Sequence, residues 1–181
     1  MADIFPTGWF AAHNAFKLLT PKEVSESTVV LLGCGPVALC ALVNIVGYKP
    51  KYILAVDSIE SRLERARSLG AEPWNFQTNR EGLDARVKEL TDGRGADVVI
   101  EVVGLSPALR MGFELLRPFG IISSVGVHNA EVCKRCSIAG LDHRFNLLRF
   151  PGPAPRHTAR TCASKWAAVP CALSSIRHWR S

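Results

Sequence analysis

The sequence predicts an α/β fold, a doubly wound and mostly parallel β-sheet with helices on both faces. Three observations predict it. Short apolar runs recur between residues 28 and 125, separated by stretches of helical length with one apolar side. Several of these runs stop at Gly33, Asp57, Gly104 and Gly126, as buried parallel strands stop where the chain turns into a crossover. Between the first run and the helix after it lies a glycine-rich turn, Gly33-Cys34-Gly35-Pro36.

The elements follow in order. Residues 28–32, Thr-Val-Val-Leu-Leu, form the first strand, and residues 35–46 form a largely apolar helix with Gly47 near its end and Pro50 before the next strand. Residues 52–56 form the second strand, ending at Asp57. Over 59–69, Leu63, Ala66 and Leu69 share one helical side, with Gly70 as the C-cap. A shorter strand near 73–76 precedes a helix over 82–90, which carries Leu83, Val87 and Leu90 at spacings of four and three. Residues 97–103 form another strand; Ser106 caps the next helix, with Pro107 in its first turn. Pro118 and Gly120 stop that helix before a fifth strand over 121–125. This βαβαβαβαβ order gives the parallel sheet.

The net charge of +6 is unevenly spread over the 181 residues. Residues 1–131 carry 13 Lys/Arg against 15 Asp/Glu; residues 132–181 carry nine Lys/Arg against Asp142 alone. Four of the six cysteines, Cys133, Cys136, Cys162 and Cys171, also fall in the tail. The acidic body lacks the interleaved basic and aromatic residues of a nucleic-acid surface. No apolar run reaches membrane-spanning length, and the Met-Ala-Asp start lacks the pattern of a secretory signal. These features predict a cytoplasmic protein with neither a nucleic-acid nor a membrane partner.

The sharpest chemical signal is Gly33-Cys34-Gly35-Pro36-Val37-Ala38. Gly33 permits a tight turn, Gly35 lets a pyrophosphate approach the backbone, and Ala38 is small enough for close packing of strand and helix. The amides and positive dipole end of the helix starting at Pro36 and Val37 then face the phosphates. A lone glycine fingerprint also fits a plain βα turn, and Asp57 shifts the balance. It ends the second strand where a carboxylate accepts hydrogen bonds from both adenosine ribose hydroxyls and repels the 2′-phosphate of NADP, which predicts NAD. Arg62 either pairs with Asp57, covers the adenosine edge or is simply solvated. Val103 and Gly104, with Val125, Gly126 and Val127, lie where the nicotinamide side would be, at the carboxyl ends of strands. Gly104 and Gly126 either admit the cofactor closely or are ordinary loop glycines.

Together with Asp3-Ile4-Phe5-Pro6-Thr7-Gly8, Ser68-Leu69-Gly70-Ala71-Glu72 and Leu116-Arg117-Pro118-Phe119-Gly120, these segments resemble the medium-chain, zinc-type alcohol dehydrogenases over residues 1–131. The resemblance implies an incomplete Rossmann-type NAD-binding domain over 28–131. Residues 1–27 are then a remnant of the connection to a catalytic domain that family members carry ahead of it. In that family a zinc-bound alcohol exchanges hydride with the nicotinamide of NAD. Asp3 matches a zinc-ligand position and Thr7 a catalytic position beside the nicotinamide. The remaining zinc ligands would lie upstream of Met1, so the resemblance implies that this chain does not retain zinc. The intact form would interconvert an alcohol and a carbonyl compound; alternatively the chain is a catalytically inactive NAD-binding or interaction fragment.

Residues 132–181 depart from the family pattern and read as an aberrant or disordered tail. A retained intron of 53 nucleotides, from the GT of codon 132 to an AG in codon 149, would shift the frame of everything after it. In the neighbouring frame, residues 150–158 permit Pro-Trp-Thr-Gly-Thr-Glu-Ala-Tyr, which resembles the family's continuation. The loss of a proper sixth strand predicts an unpaired sheet edge beside the fifth, and leaves the oligomeric state open.

Overall fold

The computed structural model describes residues 3–127 and 147–149. Two helices, α1 (Ile4–Phe16) and α2 (Pro21–Glu26), precede β1 (Thr28–Leu32). There follow α3 (Pro36–Tyr48), β2 (Tyr52–Asp57), α4 (Glu60–Ser68), β3 (Glu72–Asn75) and α5 (Arg80–Leu90). Then come β4 (Ala96–Glu101), α6 (Ser106–Leu115), β5 (Leu116–Ser124) and β6 (Leu147–Arg149). The sheet order is β3-β2-β1-β4-β5-β6, with β1 to β5 parallel and β6 antiparallel to β5. The doubly wound parallel sheet expected from the sequence is therefore present. Its chain reverses direction of growth between β1 and β4, which opens a crevice at their carboxyl ends.

Alternation along the central strands explains why they are apolar throughout. Val29 and Leu31 join the core shared with α1, α3 and α4, whereas Val30 and Leu32 join the core shared with α5 and α6. The same division separates Val98 and Ile100 from Val99, and Ile121 from Ile122. Strands covered on both faces gain burial at every position, since successive side chains point to opposite sides.

The sequence reading treated residues 1–27 as connection and did not find α1. Here it is a 13-residue helix packed on α3, with Ala11, Ala12 and Ala15 wholly buried. A Cβ on Gly8 would lie 2.7 Å from Ala41 N and 2.8 Å from Val37 O; only glycine lets the two backbones approach this closely. Ser123 Oγ donates to Ala11 O at 2.9 Å, tying the helix to β5 across the core. The α2 start carries a capping box, Thr20 with Glu23, whose signature was present in the sequence.

Four local expectations need correction. The α3 helix continues through Gly47 to Tyr48 and is capped by Lys49, in the left-handed region at φ 57°. Ser106 does not cap α6: Leu105 holds the cap position, and Ser106 is the first helical residue, with its buried Oγ unpartnered. The fifth strand begins at Leu116, directly after α6, and its pairing with β4 shifts register between Ala96 and Val98 as Arg117, Pro118, Phe119 and Gly120 bulge out. Last, the β5 edge is not left open: Ile121, Ile122 and Ser123 pair with Arg149, Leu148 and Leu147. Three residues of backbone suffice to satisfy that stretch of ladder whichever reading frame supplied them. The rest of the tail, including the Cys133-Lys134-Arg135-Cys136 run, lies outside the described residues.

Candidate cofactor site

The glycine-rich turn joins β1 to α3 at the crevice. Gly33 has φ 93°, which side-chain-bearing residues rarely adopt, and its amide donates to Val56 O at 2.8 Å. The space its side chain would take is filled by Val103, whose Cγ2 lies 2.9 Å from where a Cβ would stand. Gly35 is different. Its φ of −70° is ordinary, and a Cβ there would meet nothing within 4 Å. The turn is therefore shaped at Gly33 and bare at Gly35, directly before the N-terminus of the 13-residue α3, with Pro36 in its first turn and Ala38 buried beneath. That bare backbone beside unpaired helix amides fits a pyrophosphate.

Asp57 holds this turn from the neighbouring strand. Oδ2 accepts the Cys34 amide at 2.7 Å, while Oδ1 accepts the amides of Ser58 at 2.7 Å and Ile59 at 3.0 Å. A carboxylate has about four acceptor positions, so Oδ2 is the oxygen with capacity left. Arg62 Nη1 stands 3.8 Å from it, which favours the pairing role for that arginine. The thiol of Cys34, wholly buried, is pushed up to about 12, first by burial and then by the Asp57 charge. It is packing within the turn and no nucleophile at neutral pH.

On the other side of β1, the loop after β4 and the end of β5 meet. A Cβ on Gly126 would lie 2.2 Å from Gly104 N, and one on Gly104, at φ 78°, would lie 2.8 Å from Val127 N. These glycines make room for each other's backbone. Val103 and Val127 are exposed beside them, at 42% and 77%, and Val125 packs partly against the core. Sequence reasoning missed the side chain that organises this corner, Glu101, at 0% exposure. The available signal was an acidic residue inside an otherwise apolar strand, since such a group is buried only when its oxygens are filled.

The two residues expected at the catalytic and zinc positions stand at the start of the first helix. Asp3 and Thr7 lie one turn apart on the first helix, where Thr7 Oγ1 donates to Asp3 Oδ1 at 3.4 Å. Asp3 is exposed, and among the described residues no three His, Cys, Asp or Glu side chains come together. The described donor set does not fit a zinc ion. His13 stacks on Trp9 at 4.6 Å and sits 3.2 Å from the Tyr48 hydroxyl, a packing arrangement. His128 lies outside the described residues. No helix among the described residues is long and apolar enough to cross a membrane.

Residues 36–154 match the zinc-binding dehydrogenase family, a span that runs past residue 131. The zinc-type alcohol dehydrogenase B of Aspergillus flavus is 77% identical over 132 residues, covering 73% of this chain and 31% of that protein. A medium-chain reductase/dehydrogenase of an Acremonium species is 49% identical over 132 residues, covering 73% of this chain and 45% of its own. Among solved structures, an alcohol dehydrogenase from a Thermus species superposes with a TM-score of 0.63 at 36% identity, covering 71% of this chain and 35% of that one. The chain spans less than half the length of each of these relatives.

Proposed function

This chain belongs to the zinc-binding dehydrogenase family, and from that premise we propose that its own function is to bind NAD without completing a catalytic centre. The carrying observation is the combination at the crevice: a shaped Gly33, a bare Gly35 at the start of α3, and Asp57 fastened to the turn between them. In this reading Gly33, Gly35, Pro36 and Val37 cradle the pyrophosphate. Asp57 Oδ2 accepts a hydroxyl of the adenosine ribose and repels a 2′-phosphate, with Arg62 beside it. Val103, Gly104, Val125, Gly126 and Val127 line the nicotinamide side. NAD, when bound, supplies the hydride acceptor of dehydrogenase chemistry; the residues described here orient it and exclude water.

A second reading, favoured by the names of the relatives, is that the domain serves within an intact alcohol dehydrogenase-like oxidoreductase acting on a small alcohol or carbonyl compound. There Thr7 would stand beside the nicotinamide and Asp3 would complete a zinc site with ligands supplied from elsewhere. Titration of the 181-residue chain with NAD and NADP, alone and after Asp57→Ala, tests the first reading. Preferential NAD binding, lost in the variant, supports it; equal affinity for the two cofactors sinks it. Alcohol-dependent NAD reduction by the purified chain would favour the second reading.

A further inference from the structure

Glu101 ends β4 with a side chain wholly removed from solvent. Its two oxygens are filled from three directions. Oε1 accepts the amides of Val103 at 2.8 Å and Gly104 at 2.6 Å, and Oε2 accepts the Ser124 hydroxyl at 2.6 Å. Two donors lie on the loop leaving β4 and the third at the end of β5, where Glu101 pairs with Ser124 and the Val125 amide donates to Glu101 O at 3.0 Å, so one carboxylate adds a side-chain tie between the loop and the strand at the point where the ladder ends. Gly126 closes over it, since a Cβ there would stand 3.0 Å from Oε1. Charge-assisted hydrogen bonds from backbone amides are among the stronger in proteins, and they fix the orientation of the loop that supplies them.

We propose that Glu101 is a positioning residue for the nicotinamide half of the dinucleotide site. Enclosed as it is, it acts through backbone: it holds Val103 and Gly104 directly, and Val125 and Gly126 through Ser124. The adenosine half is held separately, by Asp57 on the Cys34 amide. This inference rests on the NAD-binding reading, and the two are separable by choice of ligand.

The 181-residue chain, Glu101→Gln and Ser124→Ala are each titrated with NAD and with ADP-ribose, which carries the adenosine and pyrophosphate but no nicotinamide ring. In Glu101→Gln an amide replaces one acceptor oxygen, and NAD affinity falls about tenfold, as loss of a charged hydrogen bond predicts, while ADP-ribose affinity stays within about twofold. Ser124→Ala keeps the carboxylate and its amide partners, loses one donor, and weakens NAD about threefold, again sparing ADP-ribose. It carries the test should the first variant fail to fold. A merely structural role would weaken both ligands alike, and that outcome overturns the inference, as does unchanged NAD affinity in Ser124→Ala. Failure of the unmutated chain to bind ADP-ribose sinks the NAD-binding reading and this inference with it. Tight ADP-ribose binding with no nicotinamide selectivity sinks the inference alone.

Discussion

The carboxyl ends of β2 and β4 flank β1 and each finishes in an acidic residue, yet the two acids do different work. Asp57 keeps a side chain 9% exposed, with one oxygen shared between a turn amide and a neighbouring arginine. Glu101 is sealed, and its oxygens accept from the loop that follows it and from the next strand. A carboxylate that still meets solvent can exchange a partner for a ligand hydroxyl. One that does not can only shape what surrounds it. The same contrast separates the glycines: Gly35 faces open space on the Asp57 side, whereas Gly104 and Gly126 face each other on the Glu101 side. An open, partly solvated turn and a closed, interlocked loop corner thus fall on opposite flanks of the central strand.

The largest effect should come from forcing a side chain into the packed flank. Gly126→Ala places a methyl group 2.2 Å from Gly104 N and 2.4 Å from its Cα, so backbone must move, at a cost of about 3 kcal/mol or more. Gly35→Ala meets no atom and keeps an ordinary φ; its stability should stay within about 0.5 kcal/mol while NAD binding weakens, because the methyl occupies the ligand's path. Urea unfolding midpoints with parallel NAD titrations would show this. Comparable losses of stability in both variants would break the contrast between the flanks.

Much of this was legible in the sequence, and the reasons for the gaps are physical. The parallel sheet was readable because strands buried on both faces must be apolar throughout, and the tight glycine-rich turn because few residues tolerate the geometry of Gly33. The α1 helix was hidden because Pro6 and Gly8 are poor helix formers, and tertiary contact overrides propensity: Pro6 falls in the first turn, where its missing amide costs little, and Gly8 is spent on the approach to α3. Glu101 escaped notice because hydrogen bonds from a later loop cannot be read from spacing. The β5 edge was misjudged because its partner is backbone, which carries no sequence signature.

An intermediate effect should appear in alkaline solution, on the Asp57 flank. The Cys34 thiol is held protonated up to about 12, above the ordinary value of 9.0. Below pH 9 both folded and unfolded chains carry the proton, and the contribution is fully present. As pH rises from 9 towards 12 the unfolded chain releases it while the folded chain does not, so stability falls, by up to about 1.4 kcal/mol per pH unit. Lysines and tyrosines titrate in the same window, and the comparison with Cys34→Ala isolates the thiol. The unmutated chain should lose stability more steeply than the variant above pH 9 in denaturant unfolding; parallel slopes would mean that Cys34 is not enclosed by the turn.

The smallest effect should come from Arg62, and its smallness is informative. The guanidinium lies 3.8 Å from Asp57 Oδ2 with 45% of its side chain exposed. An exposed pair of this kind is screened by salt and contributes about 0–1 kcal/mol. On binding, a ribose hydroxyl would share or take the oxygen that Arg62 now faces, so what the arginine adds by covering the adenosine edge is offset by what it loses in pairing. Arg62→Ala should therefore change NAD affinity by no more than about threefold, whereas Asp57→Ala removes both the proposed ribose acceptor and the tether on Cys34 N and should lose far more. Calorimetric titration of the two variants at low and high ionic strength would sharpen the distinction. An Arg62 effect as large as that of Asp57 would mean that recognition on this flank is shared between the two charges and does not reside in the carboxylate alone.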